Sequence, residues 1–389
     1  MTTLLKPTTG SPSERFASRD PEDFAIPRGR EEEWRFTPVR RIREFFEPFE
    51  NDGVVESENV VPDGAHLDFV DPSSIAAFGT ALTPADRVSA LAMANAKTGM
   101  HLRVDANAEL TEPIRLNRIG QSGRAYTHHV FEIGANARAT VIIDHHGLIQ
   151  VAANIELIVG DGAKLDVIVI NGADDGSIQL STYAALVGRD ASYRMVNVTL
   201  SGSVIRIAPI VKFAGPGGNA ELLGVSFAGD GQHFESRIFV DHNQPHCTSN
   251  VLYKNALNGE SARTVWIGDV RIRPAAIGTQ TYEMNRNLIL SDGARADSVP
   301  NLEIETGDIA GAGHASATGR FDDLQLFYLQ SRGIPEEQAR RLVVRGFFAD
   351  VVERIGIDDL ERQIMAAIDS RLGADPADAE QSELESTEA

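Results

Sequence analysis

The sequence predicts a mainly β protein whose centre is a stack of coiled strands, with helical regions at both ends. Three observations carry this. From His101 to about Gly313, β-branched apolar stretches alternate with Gly, Asp and Asn turns. Four turns resemble one another: Gly134-Ala135-Asn136-Ala137, Gly160-Asp161-Gly162-Ala163, Gly188-Arg189-Asp190-Ala191 and Gly217-Gly218-Asn219-Ala220. Their last alanines follow at steps of 26, 28 and 29 residues. Beyond about Phe321 the apolar spacing becomes helical.

The near-constant step is the strongest of the three. Two or three strands of about 5 residues and their corners make one solenoid coil of roughly 20–30 residues. A coil cannot bury its inward side chains alone, so coils stack into a continuous apolar column. Gly and Asn at equivalent corners supply the positive φ of a sharp bend. Weaker echoes occur at Asn258–Ala262 and Asp292–Ala294. A β-sandwich remains open on spacing alone, because turn signals 8–12 residues apart also occur here.

Taken in order, residues 1–20 read as a disordered tail and 21–100 as a mixed, partly helical region. Val39–Phe46 has Val39, Ile42, Phe45 and Phe46 at helical spacing, and Pro84–Ala96 reads as a second helix. The β core spans 101–320, with strands expected at Val130–Ile133, Ala139–Asp144, Asn154–Val159, Lys164–Ile170 and Arg194–Leu200. A helical domain follows at 321–372. Asp322 and Asp323 can cap Leu324–Ser331, which ends at Gly333. Pro335, Glu336 and Glu337 open a helix running to Ile355. Asp358 and Asp359 open another to Leu372. Residues 373–389 hold six acids and no Lys or Arg, the composition of a disordered tail.

Composition excludes several function classes. Lys and Arg total 36 against 56 Asp and Glu, a formal charge of −20, so a polyanion such as DNA or RNA is repelled. No run of about 18 apolar residues suits a membrane span. Residues 1–20 lack a signal-peptide h-region, so the cytoplasm is the expected compartment. Cys247 is the one cysteine. An internal disulfide, or a cluster held by several of the chain's own thiolates, is therefore impossible. P-loop, G-x-S-x-G, H-E-x-x-H and C-x-x-C motifs are absent.

Candidate metal ligands are few. His242, His246 and Cys247 lie within six residues, and two imidazoles four apart share a face if the segment is extended. Asn243 and Pro245 favour a turn instead. His128-His129 and His145-His146 alternate faces in a strand, so neither pair chelates within one strand. His314 lies in the small-residue stretch Gly311–Gly319, at the boundary between coils and helices.

Three stretches resemble the SufB/SufD family of iron–sulfur cluster assembly scaffolds. They are Pro300–Ile304, His314–Arg320 and Leu326–Ile334, with extensions over Asn250–Gly268 and Ala339–Phe348. The opening Pro27–Thr37, with Glu31-Glu32-Glu33-Trp34-Arg35-Phe36-Thr37, resembles the SufD side of the family. The resemblance implies a right-handed parallel β-helix with flanking helical regions and no catalysis in this chain. It implies a complex with SufB, joined through the solenoids, and with the ATPase SufC, docked on the C-terminal helices. The expected contacts to the ATPase are Phe327, Tyr328, Arg332, Gly333, Phe347 and Phe348. Closure of SufC on ATP would twist those helices, and the stiff solenoid would carry the motion to SufB. A homodimer is expected when SufB is absent.

The resemblance also implies that His314 meets iron or a nascent cluster at the SufB interface, with no cluster held stably. Some relatives carry Cys where this chain has Ala312. SufB relatives carry a Cys shortly before the strand matched by Pro300–Ile304, and 294–299 contain none. They also tend to carry Glu where this chain has Ala315. These departures disfavour a principal-scaffold role of the SufB kind. A carbohydrate-active β-helix enzyme is a third reading, disfavoured by the missing signal peptide.

Overall fold

In the computed structural model, which describes residues 15–321 and 323–372, the alternating apolar stretches form two nine-stranded sheets. Of the tails expected at 1–20 and 373–389, residues 1–14 and 373–389 lie outside the described residues, as does the cap at Asp322. The first strands are β1 (Val54–Val60), β2 (Ala65–Val70), β3 (Gly99–Val104) and β4 (Ile114–Ser122). The coils continue through β5 (Ala125–Ile133), β6 (Arg138–Gly147), β7 (Gln150–Val159), β8 (Lys164–Asn171) and β9 (Ile178–Val187). Next come β10 (Ser192–Thr199), β11 (Val204–Phe213), β12 (Asn219–Gly229), β13 (His233–His242) and β14 (Thr248–Asn258). The last are β15 (Arg263–Ile272), β16 (Thr279–Ile289), β17 (Arg295–Ile304) and β18 (Ile309–Arg320).

Even-numbered strands from β4 to β18 stack in one sheet and odd-numbered strands from β3 to β17 in the other. Pairing within these stacks is parallel. The chain therefore climbs as a solenoid, and the sandwich is ruled out: hairpins would have paired successive strands antiparallel. At the N-terminal end the stack finishes in antiparallel strands, β1 on β4 and β2 on β3.

One corner explains the repeat. Asn107, Asn136, Gly162, Asp190, Gly217, His246 and Gly278 all have φ between 54° and 75°. Each donates its N–H to the next coil, as in Asn136 to Asp161 O at 2.9 Å and Gly162 to Arg189 O at 2.8 Å. The left-handed bend is what selects Gly, Asn and Asp there. Two sequence readings shift in consequence. The fourth repeat is Gly215-Pro216-Gly217-Gly218, because Ser192 pairs with Asn219 and not with a later residue. The echoes at Asn258–Ala262 and Asp292–Ala294 belong to the opposite corner, where first-sheet strands hand over to the second sheet.

Inward rows run through the stack in register. One is apolar: Val141, Val167, Met195, Leu222 and Val251. Another is polar, from Arg118 and His145 through Asn171, Thr199, Ser226, Asn255 and Asn287 to Thr318. In the later coils its members bond from coil to coil: Asn255 donates to Asn287 Oδ1 at 2.9 Å, and Asn287 to Thr318 Oγ1 at 3.0 Å. Such ladders fix register, because a slip would strand each buried amide.

The outer faces are covered by the flanks. Helix α1 (Arg87–Asn95), capped by Asp86, packs on the second sheet. Val39–Phe46 is not a helix; only the single 3-10 turn Arg43–Phe45 forms. Its apolar stripe is nevertheless satisfied, since Ile42, Phe45 and Phe46 are buried and Trp34 meets Phe46 edge-on at 4.9 Å. Tertiary packing replaces the helix that the spacing suggested. Residues 15–20, expected to belong to a disordered tail, lie instead on the body: Arg15 pairs with Asp269, and Ser18 N donates to Pro84 O.

At the C-terminus α2 (Asp323–Ser331), α3 (Glu336–Val352) and α4 (Asp358–Ser370) form where helical spacing predicts them. Helices α3 and α4 lay Val344, Phe348, Val351, Leu360, Ile364 and Ile368 on the outward face of the first sheet. There they meet Ile168, Val196, Leu223, Val225 and Phe227.

Candidate functional site at the open end of the solenoid

Both stacks end together, β17 closing one sheet and β18 the other, and no described strand pairs beyond them. The two edges differ. In β17, Pro300 removes a backbone donor, which suits an edge that is not extended. In β18, no charged residue precedes Arg320, and the strand is mostly Gly and Ala. It is long, largely exposed and open to pairing.

His314 is placed there by a bulge. Thr279 pairs with Ile309 and Gln280 with Gly311, so Ala310 is the extra residue. The slip puts His314, not Gly313, opposite Glu283. The inward row that is apolar from Val141 to Val251 thus ends in Glu283 and then His314. His314 is exposed and has no hydrogen bond or ion pair among the described residues. Glu283 is fully buried with neither carboxylate oxygen partnered. Burial, and next the charge of Asp269, push its pKa up to about 8, so it is mainly a neutral acid at pH 7. Room for it comes from Gly268, where a Cβ would sit 2.4 Å from the Trp266 ring and 2.8 Å from Glu283 Oε1.

Among the described residues no group of three or more His, Cys, Asp or Glu is placed to hold a metal ion. Among the described residues, the open end thus brings Glu283 and His314 into register without a third such group beside them.

The other candidates separate clearly. His246 has φ 58° and occupies the left-handed corner, while His242 is buried and shares a 2.9 Å hydrogen bond with Ser249 Oγ. Cys247 follows the corner in the slot that Ala137, Ala163 and Ala191 fill in earlier coils. It is buried, its thiol donates to Gly215 O at 3.6 Å, and burial raises its pKa. These three residues do not converge. A native-state thiol assay is expected to find Cys247 reacting far more slowly than free cysteine, and only through opening of the chain. Cys247→Ala, the repeat's own residue, is expected to cost about 1 kcal/mol in a urea melt. Rapid native labelling would contradict the assignment.

Of the histidine pairs, His128 faces outward beneath the N-terminal region. Its Nε2 lies 2.7 Å from Glu156, and Glu156 also accepts from the N–H groups of Gly79, Ala81 and Leu82. His129 faces inward. His146 contacts Asp144 at 3.1 Å on the surface, and His145 lies inside. Neighbours on one strand separate, as alternation requires.

On the C-terminal helices, Phe327 and Tyr328 are exposed, and Arg332 stacks on the Tyr328 ring at 5.2 Å. Gly333 has φ 87° and terminates α2, a conformational task. Phe348 corrects the sequence reading: it is wholly buried against Phe227, with ring centroids 6.4 Å apart, and presents nothing to a partner. Phe347 is half-buried, and its carbonyl accepts from Lys254 Nζ at 2.7 Å.

Two groups that bear on these candidates escaped sequence reasoning. One is Glu283, which alternation with Thr281, Asn285 and Asn287 would have marked as inward. The other explains the Glu31–Thr37 motif. Arg206, on the outer wall, meets Glu33, Asp86 at 3.3 Å and Glu235 at 3.3 Å, with its guanidinium 4.3 Å above the Trp34 ring. Thr37 donates to Glu235 at 2.7 Å, and Arg237 pairs with Glu33 at 3.0 Å. Nothing local in the sequence links residues this far apart.

Comparison with known proteins accords with this geometry. The family model for the SUF system FeS cluster assembly SufBD core domain matches residues 116–347, essentially the solenoid and the start of the C-terminal helices. An iron–sulfur cluster assembly SufBD family protein of Mycobacterium tuberculosis is 46% identical, covering 96% of this chain and 96% of its own. The iron–sulfur cluster assembly protein SufD of Escherichia coli is 26% identical over 71% of this chain and 67% of its own. SufD of Bacillus subtilis is likewise 26% identical, over 74% and 67%. Solenoid, open end and flanking helices are therefore those of a chain that belongs to the SufBD family of iron–sulfur cluster assembly proteins.

Proposed function

We propose that this chain is the SufD-type subunit of a SufBCD-like complex, pairing with a SufB-type solenoid through its open end and carrying no catalysis of its own. The observation that supports this most is β18: a long, exposed strand free of charge before Arg320, beside a stack with no described cover. A partner of similar architecture can extend that sheet by main-chain pairing. Iron or a nascent cluster is then shared transiently at the junction. His314 supplies one borderline imidazole and the partner supplies thiolates. The SufC-type ATPase docks on the C-terminal helices, where Phe327, Tyr328 and Leu342 leave apolar surface exposed on α2 and α3. Because α3 and α4 are seated on the solenoid wall through a continuous apolar layer, motion imposed on them passes to the stack.

A principal-scaffold role is not favoured, since such a role needs accessible thiolates and Cys247 is buried. The test is co-expression with SufB- and SufC-type partners, with and without His314→Ala, followed by iron and sulfide assay of the purified complex. The variant is expected to keep its partners and lose most of its iron and sulfide. Unchanged metal content would remove His314 from the chemistry, and a dissolved complex would make it structural.

A further inference from the structure

Inside the first coils, far along the chain from the open end, Arg118 heads the polar row. Only 7% of its surface is exposed, and its only hydrogen bond among the described residues is to the Met100 sulfur at 3.9 Å. Burial lowers its pKa to about 10, so it stays charged at pH 7. Among the described residues no carboxylate faces it. The acids of β1, Glu56 and Glu58, are on that strand's exposed side, and Asp144 on β6 turns outward to His146. An isolated buried charge costs several kcal/mol, which makes an uncompensated guanidinium here a strong anomaly.

Of the groups around it, His129, Ser181 and Tyr183 can donate into the same space, while His145, whose Nδ1–H meets the Ile170 carbonyl at 3.3 Å, cannot. His129 Nδ1 accepts from Met100 N–H at 2.9 Å, so its proton is on Nε2. Ser181 Oγ is buried without a partner, and Thr127 and Tyr183 line the same space. His145, the in-register neighbour of Arg118, is held neutral: burial and then the Arg118 charge push its pKa down to about 3. His129 is pushed well down for the same two reasons, in the same order. The site thus carries one net positive charge. The cavity they line with Ile143 and Val151 measures about 20 Å³, above the roughly 10–15 Å³ that one water needs and too small for sulfate or phosphate.

We propose that this cavity binds one small monovalent anion, a halide or hydrosulfide, as the counter-ion of Arg118 within the solenoid. The ion takes charge-assisted hydrogen bonds from the guanidinium and accepts from Ser181, Tyr183 and His129. The anion completes the coil end and makes its stability depend on halide.

The experiment replaces sodium gluconate by sodium bromide at constant ionic strength and follows the melting midpoint of the full chain. The midpoint is expected to rise with the logarithm of bromide concentration once above the dissociation constant, and Arg118→Met is expected to abolish the slope. Crystals grown in bromide are expected to show an anomalous peak beside the Arg118 guanidinium, weakened in Ser181→Ala. An anaerobic arm with sodium sulfide at pH 8 separates the sources: displacement of the bromide peak assigns hydrosulfide, and a retained peak assigns halide. A bromide-independent midpoint, an equal slope in Arg118→Met, or water alone in the cavity overturns the proposal. Should Arg118→Met fail to fold, the peak in the parent protein decides.

Discussion

Arg206→Met is expected to lower the stability of the folded chain by about 3–5 kcal/mol, the cost of removing one partner from a buried ion cluster. Methionine keeps much of the length and removes the charge. Arg206 is 2% exposed and is the common partner of Glu33, Asp86 and Glu235. Without it, Glu235 keeps only Thr37, His233 and the more distant Arg237 charge. The signs with pH are distinct. Burial pushes the Glu235 pKa up, but the hydrogen bond from His233 and the charges of Arg206, His233 and Arg237 outweigh it and bring it to about 2. That depressed carboxyl contributes stability above its ordinary value of 4.5, and the contribution is lost as pH falls from there through about 2. Asp86 runs the other way: burial raises it despite Arg206, so its contribution is present at low pH and lost as pH rises. Urea melts of parent and variant at pH 7 and pH 3 measure both effects. The gap between them is expected to be widest at pH 7, and equal stabilities at that pH would refute the cluster's role.

That cluster also marks the limit of what the sequence discloses. Stacked coils were legible because a backbone constraint writes itself locally: only residues that tolerate positive φ hold the corner, so Asn136, Gly162 and Asp190 recur in step. The terminal helices were legible for a similar reason, since one buried face imposes its spacing on the chain. The fourth corner misled because Gly217-Gly218-Asn219-Ala220 mimics the motif two residues late, and only strand pairing distinguishes them. Val39–Phe46 misled because three buried aromatic and aliphatic side chains fit one turn on a prepared surface as well as a helix.

The candidate site was legible only in part. His314 stood out through the resemblance, whereas its placement depends on the bulge at Ala310, and a one-residue slip leaves no mark in composition. Glu283 and Arg118 went unread because isolated charges within strands look like solvated ones until inward parity is known. Glu283 follows a run that is apolar from Val141 to Val251, and Arg118 heads a row of imidazole, amide and hydroxyl side chains, and that contrast is what gives them meaning. One end of the lumen holds a carboxyl that burial keeps largely protonated, and the other a guanidinium with no carboxylate facing it.

Phe348→Ala is expected to cost about 3–5 kcal/mol, the range for a fully buried phenylalanine. Its ring lies between α3 and the first sheet, beside Phe227, and its neighbours Val344 and Val351 are equally buried. A cavity there loosens the seat of α3, and with it α2 and α4, which pack on α3. Phe327→Ala provides the contrast. That ring is 68% exposed, so its loss is expected to change stability by no more than about 0.5 kcal/mol. The two therefore separate folding from docking, which adjacent positions in a resemblance cannot do. Denaturant melts are expected to shift for Phe348→Ala alone, while pull-down of a SufC-type ATPase is expected to weaken in both variants. If Phe327→Ala binds that partner as tightly as the parent, the exposed face of α2 is not the docking surface. The loss in Phe348→Ala would then report only a helix no longer held against the solenoid wall.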